Sequence, residues 1–248
     1  MIKLIHLSKK YGQHTAIENI HLNVSPGEIF GFIGPNGAGK TTTIQIMAGL
    51  LAPSSGNVLL SGISMNSDPV NAKRLVGYIP DRPYIYEKLT GLEYLRFIGD
   101  FYQIPFQIFT QKSEQLLKIF SLIDRQHELI ESYSHGMKQR LIMISALIHD
   151  PPIIIVDEPM VGLDPVAMKL VKKVFKTRSQ EGTTIFLSTH TLSLAEQICD
   201  RVGIIHKGQL IATGSMDELK SSAKAGTKDL EDIFFQLTLE QNKMDLML

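Results

Sequence analysis

The sequence predicts an α/β protein with a mostly parallel β-sheet, an N-terminal antiparallel β-subdomain and a separate helical subdomain. Apolar runs at residues 28–33, 153–156 and 184–187 have the composition of buried strands. After residue 153, strand-like and helix-like segments alternate, and this order implies right-handed crossovers and parallel pairing. Between residues 90 and 148 helical patterns dominate, so the helical subdomain is expected there.

Short strands and turns account for the ends of the predicted fold. Residues 2–7 and 16–24 are predicted strands, and the second ends at Ser25-Pro26-Gly27. A second turn at residues 53–56 precedes a strand at 57–60. Near the other end, residues 202–205 and 209–212 are predicted to form a hairpin through Lys207-Gly208.

The loop after the strand at 28–33 has two glycines in fixed register before Lys40 and Thr41, and a predicted helix at 41–50 follows it. This spelling indicates a P-loop NTPase core, because backbone N–H groups and the positive end of a helix can surround a phosphate. Lys40 is expected to reach the β- and γ-phosphates, and Thr41 to ligate Mg²⁺. The alternative is a Gly-rich turn without a ligand. The predicted nucleotide-binding residues of this loop are Gly34, Pro35, Asn36, Gly37, Ala38, Gly39, Lys40, Thr41 and Thr42.

Two adjacent carboxylates, Asp157 and Glu158, end the apolar run at 153–156. Ligand sites of open parallel sheets lie at the carboxyl ends of the strands. Asp157 is therefore expected to hold Mg²⁺, and Glu158 to orient or deprotonate the water that attacks the γ-phosphorus. The alternative is a pair of solvated loop charges.

Three further motifs and one aromatic residue give the chain a family resemblance. Residues 133–137, Tyr-Ser-His-Gly-Met, are similar to the signature loop Leu-Ser-Gly-Gly-Gln and open a helix predicted at 137–148. Residues 162–164 resemble a D-loop, and residues 188–190 resemble the segment of the switch histidine. With Tyr11 before Gly12, the chain resembles the nucleotide-binding subunit of an ABC transporter, of the antibiotic and lantibiotic exporter type.

The resemblance implies an ATPase that uses ATP and Mg²⁺ and works as a homodimer or heterodimer. Two nucleotide-binding chains would close head to tail, so that Ser134 and the N–H of Gly136 meet the γ-phosphate bound to the other chain. Asp164 would lie at the subunit interface. His190 would hydrogen-bond the γ-phosphate or the attacking water, and Tyr11 would stack on adenine. Transmembrane permease subunits are the other implied partners.

Two positions depart from the family pattern. Asp81 follows the strand predicted at 75–80, where the family has glutamine; its carboxylate is expected near the nucleotide and the metal, with an added charge. His135 replaces the first signature glycine but keeps a place among the nucleotide-binding residues, although a side chain restricts the backbone unless φ and ψ are ordinary. We interpret both as marks of the subfamily; the alternative is a degenerate, slow site.

The resemblance covers nearly the whole chain and implies one ABC ATPase domain. Residues 1–89 and 151–224 would form the core with its antiparallel β-subdomain, residues 90–150 the helical subdomain, and residues 225–248 a C-terminal helix. That last helix is expected to pack on its own domain. The alternative is a dimer contact through its apolar stripe and Met247-Leu248; the stripe comprises Leu230, Ile233, Phe234 and Leu237. Tyr84 and Tyr86 either receive the membrane partner or cover the core, two readings that the sequence leaves open.

Composition restricts the partners. Lys plus Arg and Asp plus Glu number 25 each, so no net basic field recruits nucleic acid. The single cysteine, Cys199, rules out an internal disulfide and is expected on the buried face of a helix. No apolar run approaches the roughly 20 residues of a membrane span. The sequence predicts a cytoplasmic protein on the inner face of the cell membrane, with membrane contact only through its partner.

Three functions fit these observations. The first is an ATPase subunit that drives a transporter, expected to be an exporter. The second is a soluble ABC ATPase acting on ribosomes or DNA, and the third is a weakly hydrolysing regulator suggested by Asp81 and His135. One phosphate-binding loop, no long coiled-coil insertion and no basic tail favour the first.

Overall fold

The strands of the computed structural model, which describes residues 1–82, 84–160, 162–222 and 229–245, form two sheets. Within these residues the strands are β1 Ile2–Tyr11, β2 His14–Val24, β3 Ile29–Ile33, β4 Ser55–Leu60, β5 Ile63–Ser64, β6 Val76–Ile79, β7 Ile153–Asp157, β8 Thr184–Thr189, β9 Arg201–His206 and β10 Gln209–Gly214. The helices are α1 Lys40–Met47, α2 Pro69–Arg74, α3 Gly91–Phe101, α4 Phe106–Ile119, α5 His135–Leu147, α6 Pro165–Gln180, α7 Leu192–Ile198, α8 Met216–Ser222 and α9 Leu230–Asp245.

The two sheets differ in strand direction. The smaller has the order β2-β1-β4-β5 and is antiparallel. The larger has the order β10-β9-β3-β8-β7-β6; its strands pair in parallel except for β10, which forms the predicted hairpin with β9. The predicted fold class is therefore confirmed.

Burial on both faces explains the apolar sequence of the central strands. In β7, Ile153 and Ile155 pack in a cluster with the small sheet and α1, whereas Ile154 and Val156 pack in a cluster with the helices on the other side. Successive side chains of a strand point to opposite faces, so a strand covered on both sides has no polar position. The carboxyl edge of this sheet is thereby fixed between two hydrophobic layers.

Two of the three α-helices between residues 90 and 148, α3 and α5, begin at side-chain caps. The side chain of Thr90 accepts the N–H of Glu93, and Glu93 accepts the N–H of Thr90, which forms a capping box at α3. Leu95 of α3, Leu117 of α4 and Leu141 of α5 are all buried in one cluster. These contacts fix the start of α5, which carries the signature-like residues.

Some boundaries differ from the predictions. Helix α1 ends at Met47 rather than at residue 50, and α5 begins at His135, two residues before the predicted helix start at Met137. Helix α2 was not predicted, although Asp68 caps it and a proline follows the cap. Cys199 lies just after α7 instead of within a helix, and it is half-buried.

The C-terminal helix α9 packs on its own chain. Leu230 and Ile233 are buried in a cluster with Ile33 of β3 and Ala195 of α7. This agrees with the first of the two readings of this helix; Met247 and Leu248 lie outside the described residues. None of the helices in the described part of the chain has the length and apolar composition needed to cross a bilayer.

Candidate functional site

The loop between β3 and α1 forms the floor of the site. Gly39, the residue before the helix, has φ 108°, a left-handed conformation that strongly favours glycine. Gly34 is required for a different reason, because an added Cβ would collide with the carbonyl oxygen of Ile205. The glycines therefore allow the chain to turn sharply from strand to helix while it packs against β9.

Lys40, the first residue of α1, points back into this loop. Its side chain is buried, and Nζ donates to the carbonyl oxygens of Gly34 at 2.7 Å and Pro35 at 3.1 Å. Burial lowers the pKa of Lys40, although the negative charges of Glu158 and Asp157 act in the other direction and raise it. The ammonium group is thus held at the phosphate-binding loop, close enough to the carboxylates at the end of β7 to interact with their charge.

Asp157, the last residue of β7, is only 3% exposed. Its Oδ1 accepts a hydrogen bond of 2.5 Å from Ser188 Oγ on the adjacent strand β8. The two residues are register partners in the parallel ladder. Strand pairing therefore fixes the direction of this carboxylate.

Glu158 follows in an unusual backbone conformation, with φ 49°. Its N–H donates to the carbonyl oxygen of Ser188 at 3.3 Å. Oε1 lies 2.8 Å from Nδ1 of His190, and Oε2 accepts from Thr189 Oγ1 at 3.3 Å. A non-glycine residue in the left-handed region costs roughly 1–2 kcal/mol, so these contacts hold Glu158 in a strained position.

Most of the predicted site residues line one polar cleft of about 450 Å³. Tyr11 lies at its rim, 47% exposed, with Lys9 Nζ 5.2 Å from the ring centroid. Gly34, Pro35 and Ala38 belong to the same loop but do not line the cleft. The predicted residues that line it are Tyr11, Asn36, Gly37, Gly39, Lys40, Thr41, Thr42, Asp81, Asp157, Glu158 and His190.

Sequence reasoning missed four residues of the site or its support. His14 and Ala16 line the cleft, although neither belongs to a motif that the sequence analysis identified. The hairpin of β1 and β2 pairs His14 with Tyr11, so a predicted hairpin with this register would have indicated it. The hydroxyls of Ser188 and Thr189 hold Asp157 and Glu158, a role that follows only from the adjacency of β7 and β8.

The donor atoms of the cleft fit Mg²⁺. The hydroxyl of Thr41 and the carboxylates of Asp157 and Asp81 face the same cleft, and hard oxygen donors of this kind suit Mg²⁺. Within the described residues, no group of three or more His, Cys, Asp or Glu side chains converges as a cage for a metal ion. Mg²⁺ is commonly held by one or two carboxylates together with substrate phosphates.

The signature-like and D-loop-like residues form a second group, outside this cleft. Ser134 caps α5, its Oγ accepting the N–H of Met137 at 3.3 Å, and Asp164 caps α6, its Oδ1 accepting the N–H of Ala167 at 2.8 Å. A Cβ added to Gly136 would lie 3.3 Å from the carbonyl oxygen of Gly162, so the two helix starts are neighbours.

His135 is the first residue of α5 and has an ordinary helical backbone. A side chain therefore causes no backbone strain at this position.

A second concavity, of about 730 Å³, lies between α2 and the helices α3 and α5. Aromatic side chains form much of its wall, with Lys73 and Arg74 on one side. Tyr84, at its edge, is 86% exposed, and Tyr86, which contacts Phe97 edge-on, is 63% exposed. Of the two readings of these tyrosines, the structure therefore agrees with exposure rather than with a role in covering the core.

Comparisons with known proteins agree with this geometry. The family model for ABC transporters matches residues 17–161. The chain is 38% identical over 247 residues to the bacitracin transport ATP-binding protein BcrA of Bacillus licheniformis, covering 98% of this chain and 76% of that protein. An ABC transporter ATP-binding protein of Nostoc is 41% identical over 209 residues, and these span 84% of this chain and 62% of that protein's length.

Solved structures are similar over almost the whole chain. The ATP-binding subunit of an ABC transporter superposes with a TM-score of 0.91 at 33% identity, covering 96% of this chain and 99% of that one. The ATP-binding cassette MJ0796, in a dimeric post-hydrolysis state bound to ADP and Pi, gives a TM-score of 0.76 at 26% identity. The alignment covers 87% of this chain and 98% of that one. The family match extends over more than half of the chain, which therefore belongs to the ABC transporter family as an ATP-binding subunit with ATPase activity.

Proposed function

We propose that the chain powers an exporter by closing head to tail on a second nucleotide-binding subunit when ATP binds, with closure coupled to membrane subunits. The separation of the motif residues into two groups carries this proposal. Lys40, Asp157 and Glu158 line the polar cleft, whereas Ser134 and Asp164 lie outside it at the starts of α5 and α6. A reaction that needs both groups on one nucleotide requires a second chain.

The nucleotide would lie along the cleft from Tyr11 to Glu158. Tyr11 at the rim would stack on the base. Lys40 would exchange its carbonyl contacts for the β- and γ-phosphates, whose charge also suits the N-terminus of α1. Mg²⁺, held by Thr41, Asp157 and Asp81, would supply positive charge to the β- and γ-phosphate oxygens.

Hydrolysis would depend on Glu158. A water oxygen would attack the γ-phosphorus in line with its bond to the β,γ-bridging oxygen. That bond would break, and the bridging oxygen would leave as part of ADP. Glu158 would orient this water and accept its proton. His190 would hold the carboxylate through Nδ1 and place Nε2 toward the γ-phosphate, since the 2.8 Å contact uses only one ring nitrogen.

The partner chain would supply the start of its own α5. Ser134 and the N–H of Gly136 would donate to the γ-phosphate, because the first N–H groups of a helix lack intrahelical acceptors. ATP would then hold the subunits together, and its hydrolysis would release them.

The concavity edged by Tyr84 would receive a segment of the membrane partner. Its aromatic wall and the exposed Tyr84 at its edge support a protein contact of this kind. A relative that is 38% identical over 247 residues is named a bacitracin transport protein, which supports transport of a compound of that kind. The chain would then lie on the cytoplasmic face of the cell membrane, and its membrane contact would come through the permease subunits.

A mixing experiment tests the composite site. Lys40→Ala removes the phosphate contact but leaves α5 intact. Ser134→Asp keeps a good helix cap and places a negative charge where the γ-phosphate would lie; Ser132→Asp is the control for added charge, since Ser132 is also exposed and precedes the helix. We expect the Lys40 and Ser134 variants to be inactive alone.

An equal mixture of these two inactive variants should regain about a quarter of the wild-type ATPase rate. Half of its dimers are mixed, and each mixed dimer has one intact site of two. Full activity of Ser134→Asp alone would mean that one chain contains a complete site, and the proposal would then be wrong.

Cross-linking tests the membrane partner. A cysteine at Tyr84 in a Cys199→Ser chain, labelled with a maleimide–benzophenone reagent and photolysed in membranes of cells that express the chain, should give a product containing an integral membrane protein. A cysteine at Lys176, exposed on α6 and outside the concavity, should not. Equal yields from both positions would contradict docking at this surface.

A further inference from the structure

His135 contacts the loop that precedes α6. Gly162 in this loop has φ 76°, and a Cβ added to it would collide with Cδ2 of His135 and lie 2.6 Å from Nε2. The imidazole ring therefore lies directly against the α-carbon of Gly162. The contact involves the residue in which the chain departs from the family signature.

Among the described residues of this loop, Leu163 carries the restraints next to Gly162. The N–H of Leu163 donates to the carbonyl oxygen of Met160 at 3.3 Å, and the Leu163 side chain is buried. Gly162 itself is exposed and has no side chain with which to anchor the backbone. Glycine loses more backbone freedom on ordering than any other residue, so its position depends on what packs against it.

We propose that His135 is a positioning residue that locks the loop at Gly162 to the start of α5. This inference rests on the proposed composite site, in which Ser134 and Asp164 both face the second subunit. With the ring in place, the two segments meet the partner chain as one rigid unit. Without it, the loop must be ordered when the dimer closes, and that ordering weakens closure.

Hydrogen exchange of the nucleotide-free chain tests the contact itself. His135→Ala should speed exchange of the Leu163 amide about three- to tenfold, a size typical for loss of one side-chain contact. His127→Ala, another exposed histidine in the turns before α5, should leave it unchanged. His135→Gln, whose planar amide can also cover Gly162, should restore most of the protection.

A double-mutant cycle tests the consequence. In a Glu158→Gln chain, which retains ATP, His135→Ala should raise the protein concentration for half-maximal ATP-dependent dimer formation about three- to tenfold. ATP binding by the monomer should not change, because His135 lies outside the cleft. Gly162→Ala should weaken dimer formation less in the His135→Ala background, where no ring opposes the new methyl group.

The outcomes separate the two proposals. Unchanged Leu163 exchange in His135→Ala, or equal costs of Gly162→Ala in both backgrounds, overturns the positioning role and leaves the composite site intact. If Glu158→Gln fails to dimerise with ATP while His135→Ala still speeds Leu163 exchange, the composite site is wrong and the locking contact stands.

Discussion

The left-handed backbone at Glu158 leads us to predict that glycine is more stabilising than alanine at this position, the reverse of the usual order. Glu158→Gly and Glu158→Ala both remove the carboxylate contacts with His190 and Thr189, so the difference between them isolates the backbone. At φ 49° alanine costs roughly 1–2 kcal/mol, and glycine loses about 0.5–1 kcal/mol in extra entropy. We therefore expect Glu158→Gly to be the more stable variant by roughly 1 kcal/mol.

An ordinary helical position provides the matched control. Lys176 is exposed within α6, and there alanine is more stable than glycine by about 1 kcal/mol. Urea and thermal unfolding without nucleotide measure both pairs, and 1 kcal/mol corresponds to about 2–4 °C in Tm for a chain of this size. The two differences should have opposite signs.

Activity should not follow stability at this site. Both Glu158 variants lose the group that orients the attacking water, so ATPase activity should fall about 10²- to 10⁴-fold. The more stable glycine variant should therefore be as inactive as the alanine variant. If Glu158→Ala unfolds at the same or a higher urea concentration than Glu158→Gly, the argument from backbone strain is refuted.

Three further predictions concern single side chains. Burial lowers the pKa of His149 to about 4. As the pH falls from 6.5 to 4, the unfolded chain takes up a proton at this residue and the native chain does not. The free energy of unfolding should therefore decrease by up to about 3 kcal/mol over this range. His149→Phe can keep the ring stacking on Tyr102 and should lack this loss in urea titrations. Burial raises the pKa of the Cys199 thiol, which should react with iodoacetamide at pH 8 much more slowly in the native chain than in the unfolded chain. Asp81→Gln removes one negative charge from the cleft and should raise the Mg²⁺ concentration for half-maximal ATPase activity about two- to tenfold. Mg²⁺ titration at saturating ATP measures this change.

The sequence predicted the parallel strands because burial on both faces leaves an unbroken apolar run, as in β7. It did not predict α2, whose six residues are too few for a helical period, although Asp68-Pro69 carries the cap signal. Strand β1 continues to Tyr11 through an irregular register with β2, where the polar residues Lys9 and Lys10 show no alternation. Pairing, rather than local preference, extends this strand.

For the site, the residues within each motif were predictable and the contacts between motifs were not. The sequence of the phosphate-binding loop determines the backbone of the loop, so the positions of Lys40 and its neighbours follow from local chemistry. The bond between Glu158 and His190 depends on the pairing of β7 with β8, and the contact of His135 with Gly162 depends on how two helix starts pack. Neither relation is written in a short stretch of sequence.

The strain at Glu158 has a geometric origin. In an extended strand, successive side chains point to opposite faces, so two adjacent carboxylates at a strand end would not reach the same ligand. Asp157 keeps the strand conformation and is held by Ser188, whereas the backbone turns into the left-handed region at Glu158. Both carboxylates then line one cleft. We therefore infer that the strained residue lets one strand end supply both a metal ligand and the group that orients water.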